Sequence, residues 1–209
     1  MNAVVKKPEY QSAPPESLRE SVFARGYIEP LELFRIGAWK SAMGLGWMTL
    51  NSHRQIEEQT RVAVSALSRW RGVDVLRPGS DSIDWVAWRS TAAEAIGSKA
   101  AGTGLLGLAG VEYPMATAIA ATLVPTAFPV MDRWVVLAVF GRKVVATEVR
   151  RAVAYTAMTR CLVDAAIHYP ECTTVHQVDQ AVMNTQSDAG WRGRSDLLPF
   201  PPIDIPSED

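Results

Sequence analysis

The chain has 209 residues, a hydrophobic share of 48%, a charged share of 21% and a formal net charge of −1. This leaves room for one good core, or for two small lobes sharing one, and excludes a disordered chain and a globally basic nucleic-acid binder. Three acids (Asp204, Glu208, Asp209) lie in the last seven residues; without them the remainder carries +2, which permits a local basic strip.

Two cysteines, Cys161 and Cys172, make no disulfide framework, so a reducing, cytoplasmic setting is the default. They form no metal pair with His53, His168 or His176, and an iron–sulfur cluster would need a four-cysteine run that is absent. No metal and no cofactor are expected. The first residues, MNAVVKKPEYQSAPPE, are polar and Pro-rich and do not read as a signal peptide. The apolar run Met115–Val124 is too short to span a bilayer and is broken by Pro125. No membrane association is expected.

Residues 1–15 read as a flexible lead. A short helix is expected from Pro15 or Glu16 to Ala24, ended by Gly26. The next, Leu31–Met43, carries Leu33, Phe34, Ile36, Gly37, Trp39 or Lys40, and Met43 at positions compatible with a buried helix. Lys40 inside it is costly unless it reaches water or a partner. It either snorkels to the surface or faces a reaction centre. Gly44 and Gly46 read as a loop. Asn51 or Ser52 caps a long helix, His53 to about Arg71, with Ile56, Thr60, Ala63, Val64, Leu67 and Trp70 on one face. Pro78–Asp81 reads as a turn. Asp81 or Ser82 would cap a helix burying Ile83, Val86, Ala87, Ala93 and Ile96, with Trp85 and Trp88 on its sides.

From Leu105 to Phe140 the pattern is a glycine-bracketed hairpin, a helix, a short extended stretch and a second helix. Pro114 suits the first turn of the first helix, and Ala116, Ile119, Ala120 and Leu123 follow at helical spacing. Pro125 and Pro129 stop it, and Asp132 falls where the second helix begins. Beyond, Glu148–His168 repeats Val149, Val153, Ala157, Cys161 and Ala165 every four residues, with Ala154, Met158 and Leu162 beside them. Val175–Met183 is the last expected helix, and 186–209, rich in Pro and Gly, reads as an irregular tail. Without strand-period segments the fold class is all-α, with one helical domain over 16–185.

Leu108-x-Gly110-Val111, followed by Ala116 and by Phe128-Pro129-Val130-Met131-Asp132, resembles the helix-hairpin-helix signature of the base-excision DNA glycosylases, the endonuclease III superfamily. The Pro114–Asp132 interval and the Phe-Pro-apolar-apolar-Asp ending are similar to the adenine-glycosylase branch. The resemblance covers about a sixth of the chain. It implies two helical lobes with a cleft between them, a hairpin over 105–115 and a Pro-x-x-Asp ending at 129–132. It also implies a duplex DNA partner carrying a damaged or modified base, bound by a monomer.

On that resemblance Asp132 is the catalytic carboxylate that stabilises an oxocarbenium-like sugar once the nucleotide is flipped out of the stack. Helix capping is the ordinary job for such an Asp, and the two roles are compatible. Lys40 is a second catalytic candidate. Leu108, Gly110, Val111, Tyr113 and Met115 would form a phosphate clamp of backbone amides at a helix N-terminus; packing alone is the alternative. Ser41 and Met43 would help wedge the duplex. Arg133, with Arg142, Lys143, Arg150 and Arg151, would meet phosphates or line a solvated helix face. Two departures shape the chemistry. Pro114 stands where bifunctional members keep a Schiff-base lysine, so hydrolysis by water without strand cleavage is expected. Glu112 replaces the last hairpin glycine and puts a carboxylate at the clamp. No counterpart of the adenine-protonating glutamate occurs in Trp39–Leu50. The small residues Ala42, Gly44 and Gly46 would leave room for a bulky base, such as a hypermodified base of phage DNA. Two other readings stay open: a DNA-binding member of the fold without catalysis, and a helical protein-interaction domain that binds no nucleic acid.

Overall fold

The computed structural model describes residues 16–40, 45–77, 83–141, 148–188 and 198–205, and for 148–150 and 187–188 the backbone alone. Among the described residues all regular structure is helical: α1 (Glu16–Arg25), α2 (Pro30–Lys40), α3 (Leu45–Met48), α4 (His53–Ser68), α5 (Trp85–Ile96), α6 (Tyr113–Leu123), α7 (Arg133–Phe140), α8 (Glu148–Ala165) and α9 (Val175–Asp188). No described helix is long and apolar enough to cross a membrane. The all-α expectation holds.

α6 is the axis of the molecule. Every residue from Met115 to Leu123 is buried, so beyond its first turn, where Pro114 is exposed, this helix has no solvent face. α2 and α5 lie against it. α4 pairs with α5, and α7, α8 and α9 contact one another. One continuous core runs from Leu18 of α1 through Trp88, Phe128 and Tyr155 to Val182 of α9.

Local chemistry explains most helix boundaries. Ser52 accepts from the Gln55 amide while the Gln55 side chain accepts from the Ser52 amide, a capping box that starts α4. α4 buries Ile56, Thr60, Ala63, Val64 and Leu67, as its spacing predicts, but ends at Ser68 rather than near Arg71. Gly46 lies within the single turn of α3 instead of in a loop. In α5 the expected phase is wrong. Asp84, whose Oδ1 accepts from the Val86 and Ala87 amides, is the cap. The buried face is Trp88, Thr91, Ala92, Ala95 and Ile96, and Val86 is 70% exposed. The Trp88 indole dictates this rotation: it stacks on Phe128 and donates from Nε1 to the Ala127 carbonyl at 2.9 Å. In α8 the flanking residues Ala154, Met158 and Leu162 are buried, together with Tyr155 and with Ala165 of the four-residue repeat, whereas Val153, Ala157 and Cys161 are only half-buried. α9 runs five residues past the expected Met183. The tail is not loose throughout: Leu198, Phe200, Ile203 and Ile205 pack on the core, and the Ile203 amide donates to the Val139 carbonyl at 2.9 Å.

Before the hairpin, Gly97 (φ 74°) and Gly104 (φ 60°) lie back to back. A Cβ on Gly97 would stand 2.0 Å from the Thr103 carbonyl oxygen, and one on Gly104 would stand 2.8 Å from the Gly97 Cα. Only glycine fits both the left-handed backbone and that approach.

Candidate active site

The extended stretch between α6 and α7 carries Asp132 and is tied down from four sides. The Val130 amide donates to Asp179 Oδ2 of α9 at 2.6 Å, and the Met131 amide to Thr117 Oγ1 of α6 at 3.0 Å. Tyr155 of α8 donates its hydroxyl to the Pro129 carbonyl at 2.6 Å, and Trp88 of α5 holds Ala127. A stretch that two prolines keep from being helical thus has its backbone groups satisfied by neighbouring side chains. It delivers Asp132 to the start of α7 in one orientation.

Asp132 uses both carboxylate oxygens. Oδ1 accepts from the Trp134 amide at 2.9 Å, capping α7, and Oδ2 meets Lys40 Nζ at 2.5 Å. Lys40 is the last residue of α2, and the two partners are 92 positions apart in sequence. Their side chains are 15% and 18% exposed, so the pair is only partly screened by water. Lys40 therefore faces Asp132 rather than snorkelling to the surface.

The pair opens onto a cavity of about 170 Å³ lined also by Trp39, Val130, Trp134, His176, Asp179, Gln180 and Met183. His176 and Asp179 are one turn apart on α9 and are 7% and 2% exposed. His176 Nδ1 lies 2.9 Å from Asp179 Oδ2, and His176 Nε2 lies 3.3 Å from Gln180 Nε2. Trp39 meets the imidazole edge-on at 5.6 Å. Burial pushes the Asp179 carboxyl above the usual carboxylate range, against the lowering pull of His176, the Val130 amide and Lys40. The sequence reading missed this group. His-x-x-Asp at helical spacing is visible in the sequence, but nothing there shows that it faces inward.

On the other side of the same stretch lies a larger cavity, about 400 Å³, lined by Glu112, Tyr113, Pro114, Met131, Arg133, Val136 and Arg151. Arg133 is exposed and lies over the Trp134 ring, and Arg151 lies over the Tyr113 ring. Of the expected clamp residues, Leu108 (1% exposed), Val111 (0%), Tyr113 (6%) and Met115 (6%) are core side chains. Their side chains pack inward, apart from the edge of Tyr113 on the larger cavity. Tyr113 packs edge-on against Tyr155, and burial raises its phenol. A phosphate contact at the hairpin could come only from backbone, where Gly110 turns with φ 77°. The Val111 and Met115 amides already donate to Leu108 and Glu112 carbonyls. Glu112 precedes α6 without capping it and pairs with Lys99. Ser41 and Met43, Arg142 and Lys143, and the side chain of Arg150 lie outside the described residues.

No group of three or more His, Cys, Asp or Glu able to hold a metal occurs among the described residues. In comparisons with known proteins, no family model, no curated protein and no solved structure matches the chain significantly.

Proposed function

We propose that the protein is a monofunctional DNA glycosylase-like hydrolase that flips a damaged or modified base out of duplex DNA and releases it, leaving an abasic site. The observation that carries this reading is Asp132. Its carboxylate is fixed at a helix start by a tied-down extended stretch, faces a cavity, and is held there by an ammonium partner. A carboxylate so placed can stabilise the positive charge that grows on the sugar as the base departs. α4, α5 and the hairpin form one group of contacts and α7, α8 and α9 another, joined where α5 packs on α8, a grouping that supports a two-lobed reading. Arg133 and Arg151, flanking the larger cavity, are suited to phosphates.

The test is base release from duplexes carrying uracil, 8-oxoguanine, alkylated purines or glucosylated hydroxymethylcytosine, followed by alkali to reveal abasic sites. The intact protein is expected to release one of these bases, and Asp132→Asn to slow release by on the order of 10²–10³-fold or more. Equal release by both proteins removes Asp132 from the mechanism.

Glu112 favours a second reading, a helical domain of this arrangement that binds no nucleic acid. The carboxylate of Glu112 stands at the N-terminus of α6, where a phosphate would bind, and is engaged with Lys99. That reading predicts a DNA affinity near zero with no salt dependence, whereas phosphate contacts give a slope of about −0.9 per neutralised phosphate.

A further inference from the structure

Each carboxylate oxygen of Asp132 already has a donor. One accepts from the Trp134 amide and the other is paired with the Lys40 ammonium. Hydrolysis of a glycosidic bond also requires that the attacking water lose a proton, and a base in the same cavity speeds that step. His176 lines that cavity together with Lys40 and Asp132. Its Nδ1 lies on the Asp179 carboxylate, which keeps the imidazole proton on Nδ1 and leaves a lone pair on Nε2. Gln180 Nε2, an amide nitrogen that can only donate, lies 3.3 Å from that same Nε2 and occupies its lone pair, so the Gln180 side chain has to swing aside before His176 can take a proton. Asp179 is fixed in turn by the Val130 amide, two residues before Asp132. The carboxylate that orients the histidine thus also anchors the stretch bearing the charge-stabilising aspartate.

Resting on the glycosylase reading above, we infer that His176 is the general base of the reaction, with Asp179 its positioning residue. Water held in the cavity attacks the sugar C1′ as the C1′–N bond breaks. The bond electrons leave with the base, which takes a proton from solvent. One water proton passes to His176 Nε2 and from there back to bulk water. The charged and titratable groups set around His176 are Asp179 on its own helix, Lys40 at the end of α2, Asp132 at the start of α7 and Tyr155 of α8, which is electrostatically coupled to Asp179.

The experiment is single-turnover base release between pH 5 and 9 by the full chain, His176→Gln, His176→Gly and Asp179→Asn. The probe is whichever duplex of the panel the intact protein cleaves fastest. Alongside runs the affinity for a duplex carrying a pyrrolidine in place of one sugar, a cation that mimics the oxocarbenium ion. His176→Gln is expected to lose about 10²–10⁴-fold in rate and the fall in rate toward acid pH, while binding the pyrrolidine duplex as tightly as the intact protein. Added imidazole is expected to restore part of the rate in His176→Gly. Asp179→Asn is expected to fall between His176→Gln and the intact protein. A His176→Gln rate within threefold of the intact protein, with the acid limb kept, overturns the inference and leaves the glycosylase reading standing. So does a slowed variant that also loses pyrrolidine affinity and gains nothing from imidazole, because that marks a merely structural histidine. An intact protein that releases no base from any duplex overturns both.

Discussion

Asp132 and Lys40 stand 92 positions apart in the sequence, yet they form an ion pair at 2.5 Å, and energetic coupling follows. Lys40→Met would leave a partly buried carboxylate without its ammonium, an expected loss of about 1–3 kcal/mol. Asp132→Asn would cost a similar amount by stranding the ammonium. In urea unfolding the double variant is expected to lose less than the two single losses together; strict additivity would mean that the pair does not interact. An ammonium held in an ion pair has no lone pair with which to attack an aldehyde. Borohydride added to the protein with abasic DNA is therefore expected to leave no covalent adduct, and trapping abolished by Lys40→Ala would replace hydrolysis with lyase chemistry. The cysteines offer a plain check on burial. Desolvation pushes the Cys161 thiol from 9.0 to about 11, which leaves roughly a hundredfold less thiolate at pH 8. Alkylation of Cys161 in the native protein is expected to be slower than in denatured protein by at least that order.

At the scale of elements, caps were easier to read than faces. Ser52 and Asp132 cap where their residue types and positions suggest, because capping is a local bargain between a side chain and amides two or three residues on. The phase of α5 was misread, since it is decided by one large aromatic with a distant partner, Trp88 against Phe128. The site was legible to the same degree. Asp132 and Lys40 stood out, one as a cap after prolines and the other as a charge in an apolar helix. His176 and Asp179 did not, because an amphipathic helix with polar residues all around gives no sign of which ones turn inward. The glycine pair before the hairpin makes a sharper prediction. Gly104→Ala forces a Cβ into the Gly97 backbone at a left-handed φ, and is expected to cost at least about 2 kcal/mol. An unchanged melting temperature would show that this turn relaxes freely.

For the molecule as a whole, Asp179 joins acidity to stability. Its carboxyl is raised in the folded state, so between the ordinary carboxylate range and that raised value the folded chain holds more of this proton than the unfolded one. Stability from this group is therefore greatest below that window and falls as pH rises through it. Asp179→Asn carries no titratable proton, so its unfolding midpoint is expected to fall less steeply with pH across the window; parallel profiles would place the raised carboxyl elsewhere. The tail shows why composition alone misleads. Its prolines forbid a helix but not burial, and Ile203 docks on α7 through a backbone hydrogen bond. Phe200→Ser and Ile203→Ser are each expected to lower the melting temperature by a few degrees.

Beneath the smaller cavity lies a second, minor cluster in which Trp39 rests on Ala118, Ala121 and Val130. Two of these contacts are single methyl groups on α6, and they set how closely α2 can approach the stretch that carries Asp132. The reach of Lys40 is thus a matter of clearance as much as of charge. Thickening that floor by two carbons at Ala118 would act as a shim under α2, moving the amine away from the carboxylate with every ionisable group still in place.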